Sequence, residues 1–224
     1  MKRENLQLYF IMGSQNVKDR EPLALLEEAL QAGITMFQFR EKGPDALTGQ
    51  AYEQFAVDCQ KLCQVYDVPF IVNDDVTLAI QLNADGVHIG QEDLPISIVR
   101  EKIGNMLLGI SVHSEAELQV ALQYKADYVG IGPVFSTHSK HDAKAPCGTA
   151  FLQQVRLQCP ELPIVGIGGI QPSNAHAVFK AGSDGVAVIS TICESKDIHE
   201  TVAQLKNFPF IKCLQLLQTK NQCL

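Results

Sequence analysis

No stretch of eighteen consecutive apolar residues occurs in the chain, and Met1 to Ile11 carries no long apolar run ahead of a cleavage site. A helix needs about 20 such residues to cross a bilayer. The expectation is therefore a cytoplasmic protein with neither membrane span nor signal peptide. Basic residues are also in short supply: 18 Lys and Arg stand against 25 Asp and Glu, for a net charge of −7. That balance excludes a broad surface for nucleic acid or anionic membrane. It leaves room for a small anionic substrate, which needs only a local cluster of cations. The seven cysteines include no CxxC pair. Their odd number, and the place of Cys59 and Cys63 in an amphipathic stretch, favour buried reduced thiols over a metal or redox site. A GxGxxG motif is missing after the first β-like run, which leads into Gly13-Ser14-Gln15-Asn16. An open dinucleotide-binding sheet usually carries its glycines there. No lysine lies inside a predicted strand, and no Ser–His–Asp or Cys–His arrangement is evident.

What the chain does have is alternation. With 224 residues, 46% hydrophobic and 19% charged, it can bury a sizeable core in one domain. Short apolar runs are predicted as strands at Gln7–Met12, Met36–Arg40, Phe70–Asn73, Gly86–Gly90, Leu107–Val112, Tyr128–Val134, Pro163–Gly168 and Gly185–Ser190. Amphipathic helices are predicted between and after them, at Pro22–Gln31, Ala46–Tyr66, Val76–Leu82, around Ile96–Ile103, Glu115–Tyr124, Gly148–Gln158, Ser173–Ala181 and Asp197–Leu205. The strands lack clean polar alternation, as expected of a parallel sheet covered on both faces. Eight βα units favour a closed (β/α)8 TIM barrel, an α/β fold, over an open doubly wound sheet. A weak rhythm agrees: Ala84-Asp85-Gly86-Val87, Ala126-Asp127-Tyr128-Val129 and Ser183-Asp184-Gly185-Val186 each read as a helix-to-strand turn. The barrel is expected over residues 1–208. Residues 209–224 form a tail, read either as a short extra helix or as a partly disordered end.

In such a barrel the active site lies at the carboxyl ends of the strands. The second strand ends Gln38-Phe39-Arg40-Glu41-Lys42. Alternation puts Gln38, Arg40 and Lys42 on one face and Phe37 and Phe39 on the other, toward the helices. Arginine grips phosphate oxygens in pairs and lysine adds a point charge. The alternative is a surface ion-pair cluster with Glu41. The third strand ends Asn73-Asp74-Asp75, and the fourth unit runs His88-Ile89-Gly90-Gln91-Glu92-Asp93. Carboxylates beyond neighbouring strands suit Mg²⁺, which takes one or two of them plus phosphate and water. Any one aspartate could instead cap a helix. The sixth strand leads into a long polar loop, Ser136 to about Cys147, which includes Lys140. Such loops are often lids, and an exposed flexible loop is the alternative. Gly166-Ile167-Gly168-Gly169-Ile170 ends the seventh strand and Ser190 the eighth, the positions where barrels bind phosphate through backbone N–H groups. His88 is in phase with Gly86 and Gly90 and is directed at the barrel interior; His113 follows Ser111 by two. Neither is assigned a role as acid or base.

These motifs resemble the thiamine phosphate synthase family. The resemblance spans Leu8 to Ser190. It rests on QFREK at Gln38–Lys42, NDD at Asn73–Asp75, DGVHIGQED at Asp85–Asp93, GISVHS at Gly109–Ser114, GPVFSTHSK at Gly132–Lys140, GIGGI at Gly166–Ile170 and GVAVIS at Gly185–Ser190. It implies a transferase that joins 4-amino-5-hydroxymethyl-2-methylpyrimidine diphosphate to a thiazole phosphate, giving thiamine monophosphate and pyrophosphate. Gln38, Arg40, Lys42, Asn73 and Lys140 would bind the pyrimidine diphosphate, and Asp74 and Asp93 would hold Mg²⁺. Ser111 would contact the pyrimidine. Thr137, Ser139, Gly169, Ile189 and Ser190 would hold the thiazole phosphate. Arg40, Lys42, Ser111 and Lys140 are the expected catalytic set. Alternation alone groups Asn73 with Asp75, whereas the family pattern gives the metal to Asp74. Ser139 stands where the family commonly has threonine and keeps the hydroxyl. Retention of the cations and carboxylates argues against a thiazole tautomerase on the same barrel. The absence of a strand lysine argues against a Schiff-base aldolase. A homo-oligomer is left open.

Overall fold

The structure is a computed structural model and describes residues 1–91, 94–139 and 145–207. Eight strands pair in parallel and in sequence order: β1 (Leu8–Met12), β2 (Met36–Phe39), β3 (Phe70–Asn73), β4 (Gly86–Ile89), β5 (Leu107–Val112), β6 (Tyr128–Ile131), β7 (Ile164–Ile167) and β8 (Gly185–Val188). The last closes on the first, Leu8 facing Val186 and Phe10 facing Val188. The fold is the expected (β/α)8 barrel. Its helices are α1 (Pro22–Ala32), α2 (Gly49–Val65), α3 (Val76–Leu82), α4 (Ile96–Ile103), α5 (Glu115–Gln123), α6 (Gly148–Gln158), α7 (Ala175–Lys180), α8 (Ser190–Cys193) and α9 (Ile198–Lys206). Among the described residues, no helix is long and apolar enough to cross a membrane. The tail expected over residues 209–224 lies outside the described residues.

Local chemistry explains the elements. In α1 the Glu21 side chain accepts from the Ala24 N–H, Pro22 opens the helix, and Gly33 ends it at φ 98°. Leu25, Leu26, Ala29 and Leu30 are buried at helical spacing. Outward-facing strand residues meet this helical layer. Phe39 lies with ring centroids 5.4 Å from Tyr52 and 5.5 Å from Phe55, both on α2. Phe10, Phe37 and Phe70 form a row across β1, β2 and β3 at 5.8 and 6.1 Å.

Several boundaries differ from the sequence reading, among them those of α2, β6 and β8. The second helix begins at Gly49 instead of Ala46, because the Glu41 carboxylate takes the Leu47 N–H at 2.8 Å and holds that stretch as a loop. The sixth strand stops at Ile131 instead of Val134. Pro133 has no N–H for the ladder, and the Val134 N–H turns to the Ile167 carbonyl at 2.8 Å. The eighth strand ends at Val188, and Ser190 begins a one-turn helix that the sequence reading did not contain.

The aspartate rhythm has a physical meaning. Asp85, Asp127 and Asp184 each accept the N–H that opens a preceding strand: Phe70, Leu108 and Ile164, all at 2.8 Å. Each aspartate's own N–H donates to the carbonyl of the same residue. Thr35 closes the same ring with Leu8. These pairs satisfy backbone groups that burial at the floor of the barrel would otherwise strand. Around Asp184 the ring is extended by Arg156, a buried cation. Arg156 donates to the carbonyls of Gly182, Pro160 and Leu162 at 2.7, 2.7 and 2.8 Å, and to the Asp184 carboxylate at 2.6 Å. Arg3 approaches the other oxygen of Asp184 at 3.5 Å. Removing one partner of a buried pair leaves the other charge uncompensated, at about 3–5 kcal/mol. Arg156→Met should therefore lower the unfolding free energy in urea by about that amount, while turnover of the folded protein is kept, since Arg156 sits at the end opposite the site. A loss below 1 kcal/mol (about one hydrogen bond) would contradict this reading.

Candidate active site at the carboxyl end of the barrel

The polar strand ends converge around two adjoining cavities. Both are lined by Lys42, Thr137, Ser139, Gly169, Ile189 and Ser190. The outer one adds the cations Lys18 and Arg40 and the carboxylates of Asp45 and Glu194. The inner one descends into the mouth of the barrel past Gln91, Ser111, Gly130 and Ala187.

The β2 end is built to hold Arg40 and Lys42 in place. Arg40 is buried to 6% exposure, and its N–H bonds to the Met12 carbonyl. The Gln15 amide donates to the carbonyls of Arg40 at 3.3 Å and Lys42 at 3.0 Å. Among the described residues, Glu41 makes no ion pair. Its carboxylate accepts from the Ser14 N–H at 2.7 Å, from the Ser14 hydroxyl at 2.6 Å and from the Leu47 N–H. Glu41 thus ties together the loops after β1 and β2. Gln15 and Glu41 were not singled out as site residues, because their partners are backbone groups far along the chain. Lys42 reaches across to β3, where its Nζ lies 2.7 Å from an Asp74 carboxylate oxygen.

The two aspartates after β3 divide their work. Asp75 caps α3, accepting from the Leu78 N–H at 2.9 Å, and takes the Tyr52 hydroxyl at 3.2 Å. Asp74 stands at φ 61°, in the left-handed region, and its carboxylate meets Lys42. That backbone reversal breaks strand alternation, so the two aspartates depart from the facing rules that group Asn73 with Asp75. Half-buried Tyr52, beside Asp75, has its phenol pushed well above the ordinary range by desolvation first and by that carboxylate second.

On the far side, Gly168 and Gly169 stand at φ 97° and 63°. A side chain at Gly169 would collide with the Ser136 carbonyl oxygen and crowd Phe135. The two glycines therefore let the strand-six loop lie against the end of β7, where the Phe135 N–H bonds to the Gly168 carbonyl at 3.0 Å. That contact brings hydroxyls together: Ser139 Oγ donates to Ser190 Oγ at 2.9 Å, and Thr137 Oγ1 to Ser139 Oγ at 3.3 Å. Thr191 fastens α8 to the Ile170 carbonyl at 2.6 Å.

The structure thus gathers Lys42, Ser111, Thr137, Ser139, Gly169, Ile189 and Ser190 on the inner cavity and Arg40 on the outer one. Asn73 ends β3 beside Asp74. Gln38 lies deeper, 1% exposed, with its amide donating to the Tyr9 hydroxyl at 2.8 Å. Asp93 and Lys140 lie outside the described residues. Gln91 was overlooked: it lines the inner cavity, and its amide holds the Ser111 carbonyl at 2.7 Å.

A parallel barrel with cations at the end of one strand and glycine and hydroxyl loops after its last two defines a phosphate-handling (β/α)8 enzyme. The family model described as thiamine monophosphate synthase matches residues 8–192, and the chain belongs to that family. A thiamine-phosphate synthase of Lysinibacillus sphaericus is 66% identical over 212 residues, covering 95% of this chain and all of that one. One of Anoxybacillus flavithermus is 50% identical over 205 residues, covering 92% and 94%. The structure of the thiamine phosphate pyrophosphorylase from Pyrococcus furiosus superposes with a TM-score of 0.80 at 33% identity, covering 91% of this chain and 95% of that one.

The strained approach at Gly169 yields a test. Gly169→Ala should displace the strand-six loop and weaken inorganic phosphate about tenfold, or about 1.4 kcal/mol, by calorimetric titration. Unchanged phosphate affinity would separate that loop contact from anion binding.

Proposed function

We propose that this chain couples 4-amino-5-hydroxymethyl-2-methylpyrimidine diphosphate with a thiazole phosphate to form thiamine monophosphate and pyrophosphate. One observation carries the reading: a group of cations and a group of glycine and hydroxyl residues line the same outer cavity. Arg40 and Lys42 belong to the first group, and Gly169, Ser139 and Ser190 to the second. The family membership supports it.

The chemistry asks for what these residues have. The bond between the exocyclic methylene and the diphosphate oxygen breaks, and its electron pair leaves with the diphosphate. The aminopyrimidine ring stabilises the cation left behind. The thiazole nitrogen then gives its lone pair to that carbon. No proton moves, so no general base is required, in keeping with a site of cations and hydroxyls. Arg40 and Lys42, held by backbone bonds before substrate arrives, stabilise charge as it develops on the leaving group. Lys140 belongs to the same set. Ser111 orients the ring in the inner cavity, and the hydroxyls of Thr137, Ser139 and Ser190 hold the thiazole phosphate.

Asp74 fits a share in a Mg²⁺ site. Mg²⁺ is content with one or two carboxylates, water and substrate phosphate, and Asp74 already accepts a cation from Lys42 at 2.7 Å. Among the described residues, no group of three or more possible ligands is present, and such a cage is not what Mg²⁺ with a diphosphate needs. Asp93 is proposed as the second carboxylate. Bound Mg²⁺ would neutralise charge on the departing diphosphate. Asp74, Arg40 and Lys42 also support a synthase over a thiazole tautomerase, which has no leaving group to hold. The five cysteines among the described residues are all free thiols, which supports a reducing compartment such as the cytoplasm.

Purified protein, both substrates and Mg²⁺ should yield pyrophosphate and thiamine phosphate in equal amounts, and chelation by EDTA should stop the reaction. Absence of product from folded protein would end the proposal. Arg40→Ala and Lys140→Ala should each lose about 10²-fold or more in kcat with unchanged circular dichroism. Near-normal rates in both would remove the diphosphate from this position.

A further inference from the structure

The interior of such a barrel is ordinarily filled by layers of branched aliphatic side chains. Here a continuous line of polar side chains crosses it. The Gln38 amide donates to the Tyr9 hydroxyl at 2.8 Å, and the Tyr9 and Tyr128 hydroxyls lie 2.8 Å apart. The Tyr128 hydroxyl is 3.1 Å from His88 Nδ1, and His88 Nε2 is 3.0 Å from the Ser111 hydroxyl. The five residues come from β2, β1, β6, β4 and β5. Tyr9, Gln38, His88 and Tyr128 are all buried. The backbone is cut away to admit them: a Cβ at Gly109 would overlap the Tyr128 ring and crowd His88, and one at Gly130 would press on the His88 ring.

Five polar side chains in a barrel core cost more than aliphatic packing unless every group is satisfied. A line of this kind also has a direction. The Gln38 amide nitrogen can only donate. Tyr9 accepts from it, and the Tyr128 oxygen, 2.8 Å away, is then the acceptor at hand for its own single proton. Tyr128 in turn sends its proton to His88 Nδ1. An imidazole that accepts at Nδ1 carries its proton on Nε2 and donates it to the Ser111 oxygen. Burial pushes both phenols far above their ordinary range, so each keeps its one proton. Ser111 is the only member of the line on the inner cavity. With its oxygen engaged from behind, its own proton is left for a ligand.

We infer that Gln38, Tyr9, Tyr128 and His88 form a positioning relay that fixes the Ser111 hydroxyl as a hydrogen-bond donor into the inner cavity, where it reads an acceptor atom of the pyrimidine ring. The relay rests on the functional reading above and assigns parts to three residues, Tyr9, His88 and Tyr128, that never touch substrate. It also gives Gln38 a role as the anchor that sets direction, since its amide is turned to Tyr9 beneath the cavity floor.

Tyr128→Phe keeps the ring and removes the link. Long-range ¹H–¹⁵N correlation spectra of the ligand-free native protein should show His88 protonated at Nε2 alone. In Tyr128→Phe the Nδ1 acceptor loses its donor, and the His88 nitrogen shifts should move toward a mixture of tautomers. The value of kcat/KM for pyrimidine diphosphate should fall about 3- to 10-fold, the worth of one hydrogen bond, with KM for the thiazole phosphate unchanged. Ser111→Thr, which keeps the hydroxyl, should retain more activity than Ser111→Ala. If Tyr128→Phe does not fold, Tyr9→Phe severs Gln38 from the line and carries the same two readouts. A native His88 protonated at Nδ1 would overturn the relay. So would a variant that weakens both substrates equally, or neither. Failure of the native chain to make thiamine phosphate would end the functional reading instead, and the tautomer measurement, which uses no substrate, would still decide the relay.

Discussion

Because β8 pairs with β1, none of the eight described strands has a free edge, and each is largely buried on both faces. Closure is the constraint from which the rest follows. It forbids polar side chains along most of each strand and confines them to the two rims. The helix that carries the chain back between successive strands makes all eight parallel, so their carboxyl ends share one rim. Residues as distant in sequence as Arg40 and Ser190 then face a single cavity. The chemistry is concentrated by topology before any one side chain acts.

The two rims answer closure in different ways. At the floor, polar groups neutralise one another. Asp85, Asp127 and Asp184 take strand N–H groups, and Arg156 is surrounded by carbonyls and a carboxylate. At the top, the scaffold holds the segments that carry the cations and hydroxyls by their backbones, and the side chains line the two cavities. Gln15 fixes the carbonyls of Arg40 and Lys42, and Gln91 fixes that of Ser111. The adjacent pair after β3 shows the contrast within two residues: Asp75 is consumed in capping α3, while Asp74 turns to Lys42. Between the rims, the line from Gln38 to Ser111 is the one polar path across the interior among the described residues, and it too ends at the top.

Much of this was legible in the sequence. Strands were readable because each apolar run is bounded by turn residues and buried on both faces. The inward placement of Gln38 and the outward placement of Phe39 followed from alternation alone. Where reading failed, tertiary contact had overruled local pattern. The start of α2 depends on Glu41 reaching Leu47, and the end of β6 on Val134 turning to Ile167. Alternation does not carry through the two aspartates because it assumes extended backbone, which Asp74 abandons. The turns at Asp85, Asp127 and Asp184 were recognised as turns, but their bonds to neighbouring strands span 15 to 20 residues. His88 was directed inward by its phase. Its partners Tyr128 and Ser111, 40 and 23 residues away, were beyond reach until the strands were placed side by side.

The central claim is a division of one cavity into a diphosphate half on β2 and β3 and a monophosphate half on β7 and β8. A crystal structure of the protein with pyrophosphate, thiamine phosphate and Mn²⁺ in place of Mg²⁺ tests it most directly. Pyrophosphate is expected on Arg40 and Lys42, with the anomalous Mn²⁺ peak at Asp74, and the phosphate of thiamine phosphate at Gly169, Ser139 and Ser190. Both anions on the same half, or the metal away from Asp74, would contradict the division.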